Sequence, residues 1–93
     1  MEKIRKITVE QCCIHYSIET SFVKELNNHG LIQLSGSGKK RFIHFEQLAN
    51  LEKYIHLHYD LEINIAGLEA ISHLLRRMND LQKEVSRLHN DKQ

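Results

Sequence analysis

Proline and tryptophan are absent from this chain of 93 residues, and glycine occurs only four times. The only Gly/Ser-rich run is SGSG, Ser35 to Gly38, so no linker, internal repeat or targeting tail stands out. A chain of this length is too short for two separate cores and is expected to form one compact domain. There are two cysteines, and Cys12 and Cys13 are adjacent, which places them poorly for a structural disulfide. A reduced, cytoplasmic protein is the expectation from that usage. No basic segment leads into a long apolar run, so neither a signal peptide nor a spanning helix is expected, and no membrane partner. Net charge is also small, at +1, and gives no overall pull toward nucleic acid or acidic ligands.

What is present is patterned. Residues 1–45 carry seven Lys/Arg against four Asp/Glu, and residues 46–93 carry six against eight, a mildly basic front and a mildly acidic back. KIRKITV, Lys3 to Val9, alternates polar and apolar residues and predicts a short edge strand. Thr8 with Gln11 fits a capping box opening a first helix through about His15. Glu19 and Thr20 begin a second helix with Phe22, Val23 and Leu26 on one face, and Gly30 stops it. Leu31 to Leu34, the SGSG turn and Arg41 to Phe45 predict a hairpin. From Glu46 the period turns helical, with Leu48, Leu51 and Ile55 lining a third helix to about Tyr59. LEIN, Leu61 to Asn64, predicts a joint at which Asn64 caps a final helix.

That final helix carries a heptad pattern. Ile71, Met78 and Val85 are seven apart, and so are Leu74, Leu81 and Leu88, offset by three. The pattern predicts self-association, although it does not choose between parallel and antiparallel pairing. Together these elements describe a mostly α protein with a small β-hairpin wing. It is a winged helix-turn-helix body over residues 1–60, with a long dimerisation helix over residues 61–93.

A helix-turn-helix reads DNA through donors on its second helix. Here Ser21, Lys24, Glu25, Asn27 and Asn28 are the outward candidates, and Lys24 is the only cation among them. The stronger DNA signal is the hairpin, where Lys39, Lys40 and Arg41 follow the Gly/Ser tip and Lys3, Arg5 and Lys6 could lie near. Used twice in a dimer, the three hairpin cations would give a log–log salt slope of about −5. Lys24, Asn28, Lys39, Lys40 and Arg41 are therefore the candidate DNA-binding residues.

The element order resembles the MerR superfamily, whose second helix usually carries an Arg-Tyr-Tyr-Glu run before Gly-Leu. Aligned on Gly30-Leu31, that run falls on Lys24-Glu25-Leu26-Asn27, so its phosphate-binding side chains are mostly missing. Cys13-Ile14-His15, the run FVKELNNHGLI and the segment LEKYIHLHYDLEINIAGLEAISHLL, Leu51 to Leu75, are similar to the chaperone-modulator (CbpM) branch. That resemblance implies a non-enzymatic inhibitor that binds the J-domain of a DnaJ-type co-chaperone (CbpA) and blocks its contact with the Hsp70 DnaK. A J-domain presents a basic helix, so the expected surface is acidic and partly apolar. Glu46, Glu52, Asp60, Glu62 and Glu69, with Tyr59 and Leu61, are its candidates. A MerR-like DNA-binding regulator is the alternative, and an adaptor for another protein a third reading.

Seven histidines invite other chemistry. Cys12, Cys13, His15 and His29 are the plausible zinc ligands, but four converging donors are needed and one of two neighbouring cysteines must face the core. His56 and His58 are two apart on the third helix. The Cys/His pair has no evident orienting partner for nucleophilic catalysis, and SGSG lacks the Lys-Ser/Thr of a P-loop. No catalytic residue, metal or cofactor is expected.

Overall fold

A computed structural model describes residues 5–91 of the chain. Strand β1 runs over Lys6–Thr8 and leads directly into helix α1, Val9–Tyr16. The expected capping box is present. The Gln11 amide donates to Thr8 Oγ1 at 3.1 Å, and the Thr8 amide donates to Gln11 Oε1 at 3.3 Å. Lys3 and Ile4, which the alternating pattern placed in the strand, lie outside the described residues.

α1 buries Val9, Cys12 and Cys13 and stops at Ser17, which takes the left-handed conformation (φ 56°). The Ile18 amide then reaches back to the Cys13 carbonyl at 3.0 Å, a Schellman closure. Helix α2, Thr20–Asn28, buries Phe22, Val23 and Leu26, a one-four spacing that keeps all three on one face. It ends in a second Schellman closure. Gly30 sits at φ 74°, and the Leu31 amide donates to the Leu26 carbonyl at 2.8 Å.

The hairpin differs from its expected register. Strand β2 spans Leu34–Ser37 and β3 spans Lys40–His44, so the SGSG run is mostly strand and the turn is Gly38-Lys39. Two causes account for the shift. Leu31 and Ile32 are drawn into the core by the helix closure that precedes them, at 8% and 1% exposure. Gly38, at φ 64°, supplies the positive φ that a two-residue Gly-X hairpin loop needs at its first position. Gly36 is equally constrained. At φ 85° it lies against the Lys40 carbonyl, where any Cβ would collide. The side chain of Asn27 accepts the Leu34 amide at 3.2 Å and so ties α2 to the start of β2.

β3 is the centre of an antiparallel sheet of order β1-β3-β2, with Ile43 opposite both Ile7 and Leu34. After a 3-10 turn over Phe45–Gln47, helix α3 covers Leu48–Ile55 and continues as a π-helical turn over His56–Asp60. Of the expected α3 face, Leu51 is buried and Leu48 and Ile55 are half-buried; Tyr54, at 3%, joins the core as well. Glu62 at φ 57° turns the chain, and the Ile63 amide closes onto the Leu57 carbonyl at 3.1 Å. This closure is one residue wider than that of an α-helix, as the π turn requires.

Helix α4, Ile65–Asp91, opens on Asn64, whose side chain accepts the Gly67 amide at 2.8 Å. Its 27 residues extend about 40 Å. The core gathers α1, α2, β3, α3 and the single α4 residue Leu68. Beyond Ser72 the helix leaves this body, and every residue as far as Asn90 is exposed. The architecture is a mostly α winged helix-turn-helix with a long C-terminal helix. No helix among the described residues is long and apolar enough to cross a membrane.

Candidate interaction surfaces

Helix α2 separates two recesses of different chemistry. Its Thr20 and Lys24 face the hairpin, whereas Ser21, Phe22 and Glu25 face the joint between α3 and α4. The division follows from helix geometry, because neighbouring residues point about 100° apart. Lys24 and Glu25 therefore serve opposite flanks.

The first recess is a groove of about 720 Å³ between the start of α1, the start of α2 and the hairpin. Val9, Leu34 and Phe42 give it apolar surface, and Lys24, Lys39, Lys40 and Arg41 supply four cations against the carboxylate of Glu10. The structure thus brings together four of the five candidate DNA-binding residues. Asn28, in the last turn of α2, is exposed but does not line the groove, and Asn27 is committed to Leu34. Lys6 stands 4.4 Å from the Phe42 ring centroid, so the basic character of β1 does adjoin the hairpin. Lys3 is outside the described residues.

The second recess, about 370 Å³, is lined by Glu19, Ser21, Phe22, Glu25, His58, Tyr59 and Ile65. Its walls are held by ring contacts. His58 stacks on Phe22 with centroids 4.5 Å apart, and Tyr59 meets Phe22 edge-on at 5.3 Å. Nδ1 of His58 donates to the Ile63 carbonyl at 2.8 Å, which fixes the proton on that nitrogen. The backbone amide of Glu19 points to the Tyr59 hydroxyl at 3.5 Å. Tyr59 and Leu61 remain 42% and 56% exposed, so Leu61 is a surface residue rather than a core one.

The other acidic candidates are distributed unevenly around this recess. Asp60 and Glu62 flank Leu61 in the joint, with Asp60 bound to Nδ1 of His56 at 2.7 Å. Glu69 pairs with His29 at 2.9 Å and ties α4 to the end of α2. Glu52 accepts a 2.7 Å hydrogen bond from the Tyr16 hydroxyl, linking α3 to α1. Burial, with the bond to Glu52 and its charge added, pushes the Tyr16 hydroxyl up to about 12. Glu46 stands in the 3-10 turn, 13 residues before Tyr59 and so about 20 Å away along the helix axis. The structure does not bring it to the recess. Glu19 and Glu25, which line it, were not among the partner candidates from the sequence. Only the contact of α2 with a joint some 36 residues later reveals them.

Among the dimerisation candidates, Ile71 is half-buried. Leu74, Met78, Leu81, Val85 and Leu88 are each 53–64% exposed and form an open apolar stripe. The residues weighed as zinc ligands, for which no site is expected, are engaged separately. Cys12 and Cys13 are buried, with the Cys12 thiol pushed up to about 11 by desolvation and by its neighbour. His29 is engaged by Glu69, and His15 lies edge-on to Tyr16. No group of three or more His, Cys, Asp or Glu among the described residues is arranged to hold a metal ion.

A two-helix unit followed by a hairpin and a long helix defines a winged helix-turn-helix fold. The chain belongs to the MerR HTH family of regulatory proteins, whose family model matches residues 7–90. No curated protein and no solved structure matches the chain.

Proposed function

We propose that this protein is a dimeric regulator that acts by binding another protein, and that its target is the J-domain of a DnaJ-type co-chaperone. Binding there would block productive contact with the Hsp70 partner, as in the chaperone modulators the sequence resembles. The observation that carries this reading is the flank of α2 facing the joint. It combines the carboxylates of Glu19 and Glu25 with the exposed Tyr59, and Asp60, the exposed Leu61 and Glu62 follow Tyr59 in the chain. Acids around a partly apolar patch complement a basic helix, and aromatic anchors supply most of the affinity in such contacts. α2 itself argues in the same direction, since its only cation is turned to the other flank. No catalytic role is proposed.

A pull-down from nuclease-treated lysate tests the reading. The wild-type protein is expected to retain a J-domain protein, and Tyr59→Ala with Leu61→Ala to lose it. Retention by the double variant, or recovery of no J-domain protein, would contradict the proposal.

One observation favours a second reading, DNA binding, namely the convergence of Lys24, Lys39, Lys40 and Arg41 on one groove. Four cations per chain, used twice in a dimer, predict a log–log salt slope of about −7 for duplex binding. A duplex affinity that hardly changes between low and moderate salt would remove this reading.

A further inference from the structure

The groove between α1, α2 and the hairpin has features that neither reading above requires. We propose that it is a binding site for a small amphipathic anion, a carboxylate or phosphate head on an apolar body, and that it serves as an effector site. The volume, about 720 Å³, lies in the range of sites for small organic ligands. Its lining is divided as such a ligand would need. Val9, Leu34 and Phe42 offer apolar contact, while Lys24, Lys39, Lys40 and Arg41 outnumber the one carboxylate, Glu10. The excess of three positive charges selects for an anion.

Two further details favour a ligand that enters the groove over a duplex lying across it. Arg41 has its Nε buried with no hydrogen-bond partner among the described residues, a donor whose desolvation is uncompensated. A small head group that re-orients Arg41 on entering the groove would reach this nitrogen, which is closed to solvent in the present arrangement, whereas a phosphate on the outside of a duplex would meet the lysine tips. Thr20 also lines the groove at the first residue of α2, where the side chain of the capping residue, Glu19, makes no capping bond. The first-turn amides there add positive potential to that of the four cations, reduced by the Glu19 carboxylate, which accepts from the Ser21 hydroxyl at 3.3 Å.

The site shares α2 with the acidic recess. Lys24 and Glu25 are adjacent, so a ligand held by Lys24 acts on the helix that also presents Glu25 to a protein partner. Occupancy of the groove is in this way placed to influence the opposite flank.

The test is an amide NMR titration of the full chain with decanoate, with decyl phosphate and with neutral decanol, each below its aggregation or solubility limit. At least one of the two anions is expected to give saturable shifts at Thr20, Lys24, Leu34, Gly38 and Phe42. Decanol should leave those residues unchanged, and the responding head group tells carboxylate from phosphate. Lys24→Ala, an exposed position that folding tolerates, should weaken binding at least tenfold, and Arg41→Ala likewise if its spectrum remains dispersed. Three outcomes would overturn the proposal: shifts confined to the apolar stripe of α4, equal responses to decanol, or no response of the groove residues to either anion. None of these readouts involves a co-chaperone, so the proposal stands or falls apart from the one above.

Discussion

Tyr16 and Glu52 show how single side chains join elements that are remote in sequence. Tyr16 ends α1, Glu52 lies on α3, and their 2.7 Å hydrogen bond spans 36 positions. Its consequence for stability has a definite sign. The folded-state pKa of Tyr16, about 12, is above the ordinary value of 10, so the folded chain holds this proton more tightly than the unfolded one. The contribution is therefore fully present below about pH 10 and is lost as pH rises from 10 through about 12. Denaturation midpoints should fall more steeply across this range for the wild type than for Tyr16→Phe. Parallel curves would contradict the assignment. The residue scale was only partly legible in the sequence. Thr8, Gln11, Gly30 and Asn64 act as caps or stops as their types and spacings indicate, because capping is local chemistry. Ser17 and Glu62 take left-handed conformations that nothing in their residue types announces. They do so because the turns after α1 and after the π turn demand it.

At the scale of elements, the periodic segments were the readable ones. α2 and α4 lie where their apolar spacing puts them, since that spacing decides which face can be buried. The hairpin was misplaced because Leu31 and Ile32 look like the start of a strand, yet serve as the apolar closure of α2. The π turn was hidden in what reads as an ordinary continuation of α3. The exposed stripe of α4 also allows a choice that its spacing alone left open. In the proposed dimer, antiparallel pairing stacks Ile71 on Leu88, Leu74 on Val85 and Met78 on Leu81 of the second copy. It sets the flanking Arg77 against Glu84 twice, whereas parallel pairing would place Gln82 opposite Arg77 and His89 opposite Glu84. Charge complementarity thus favours the antiparallel dimer. The native cysteines are buried, so Asn90→Cys can be labelled selectively with a spin label. An antiparallel dimer predicts a separation of about 30 Å between the two labels, from the 1.5 Å rise per residue. A distance of about 10 Å, close to the spacing of two packed helix axes, would mean parallel pairing instead.

For the whole molecule, the central feature is the use made of α2. In a DNA-reading helix-turn-helix this element presents its donors outward to base edges. Here one flank, with Lys24, closes a basic groove with the hairpin, and the other, with Glu25, closes an acidic aromatic recess with the joint. The sequence suggested acids in the back half as the partner surface, and Tyr59, Asp60, Leu61 and Glu62 do lie at the joint. It did not suggest that the front half would contribute Glu19 and Glu25, because that depends on Phe22 meeting His58 and Tyr59 across the fold. The two flanks can be tested against each other in one calorimetric titration. A purified J-domain of the CbpA type would be titrated into the wild type, into Glu25→Lys, and into Lys39→Ala with Lys40→Ala. The account predicts that Glu25→Lys weakens binding at least tenfold, while the hairpin variant stays within about twofold of the wild type, each surface charge pair contributing chiefly on its own flank. Loss of binding in the hairpin variant with Glu25→Lys unaffected would contradict it and move the working surface to the other side of α2.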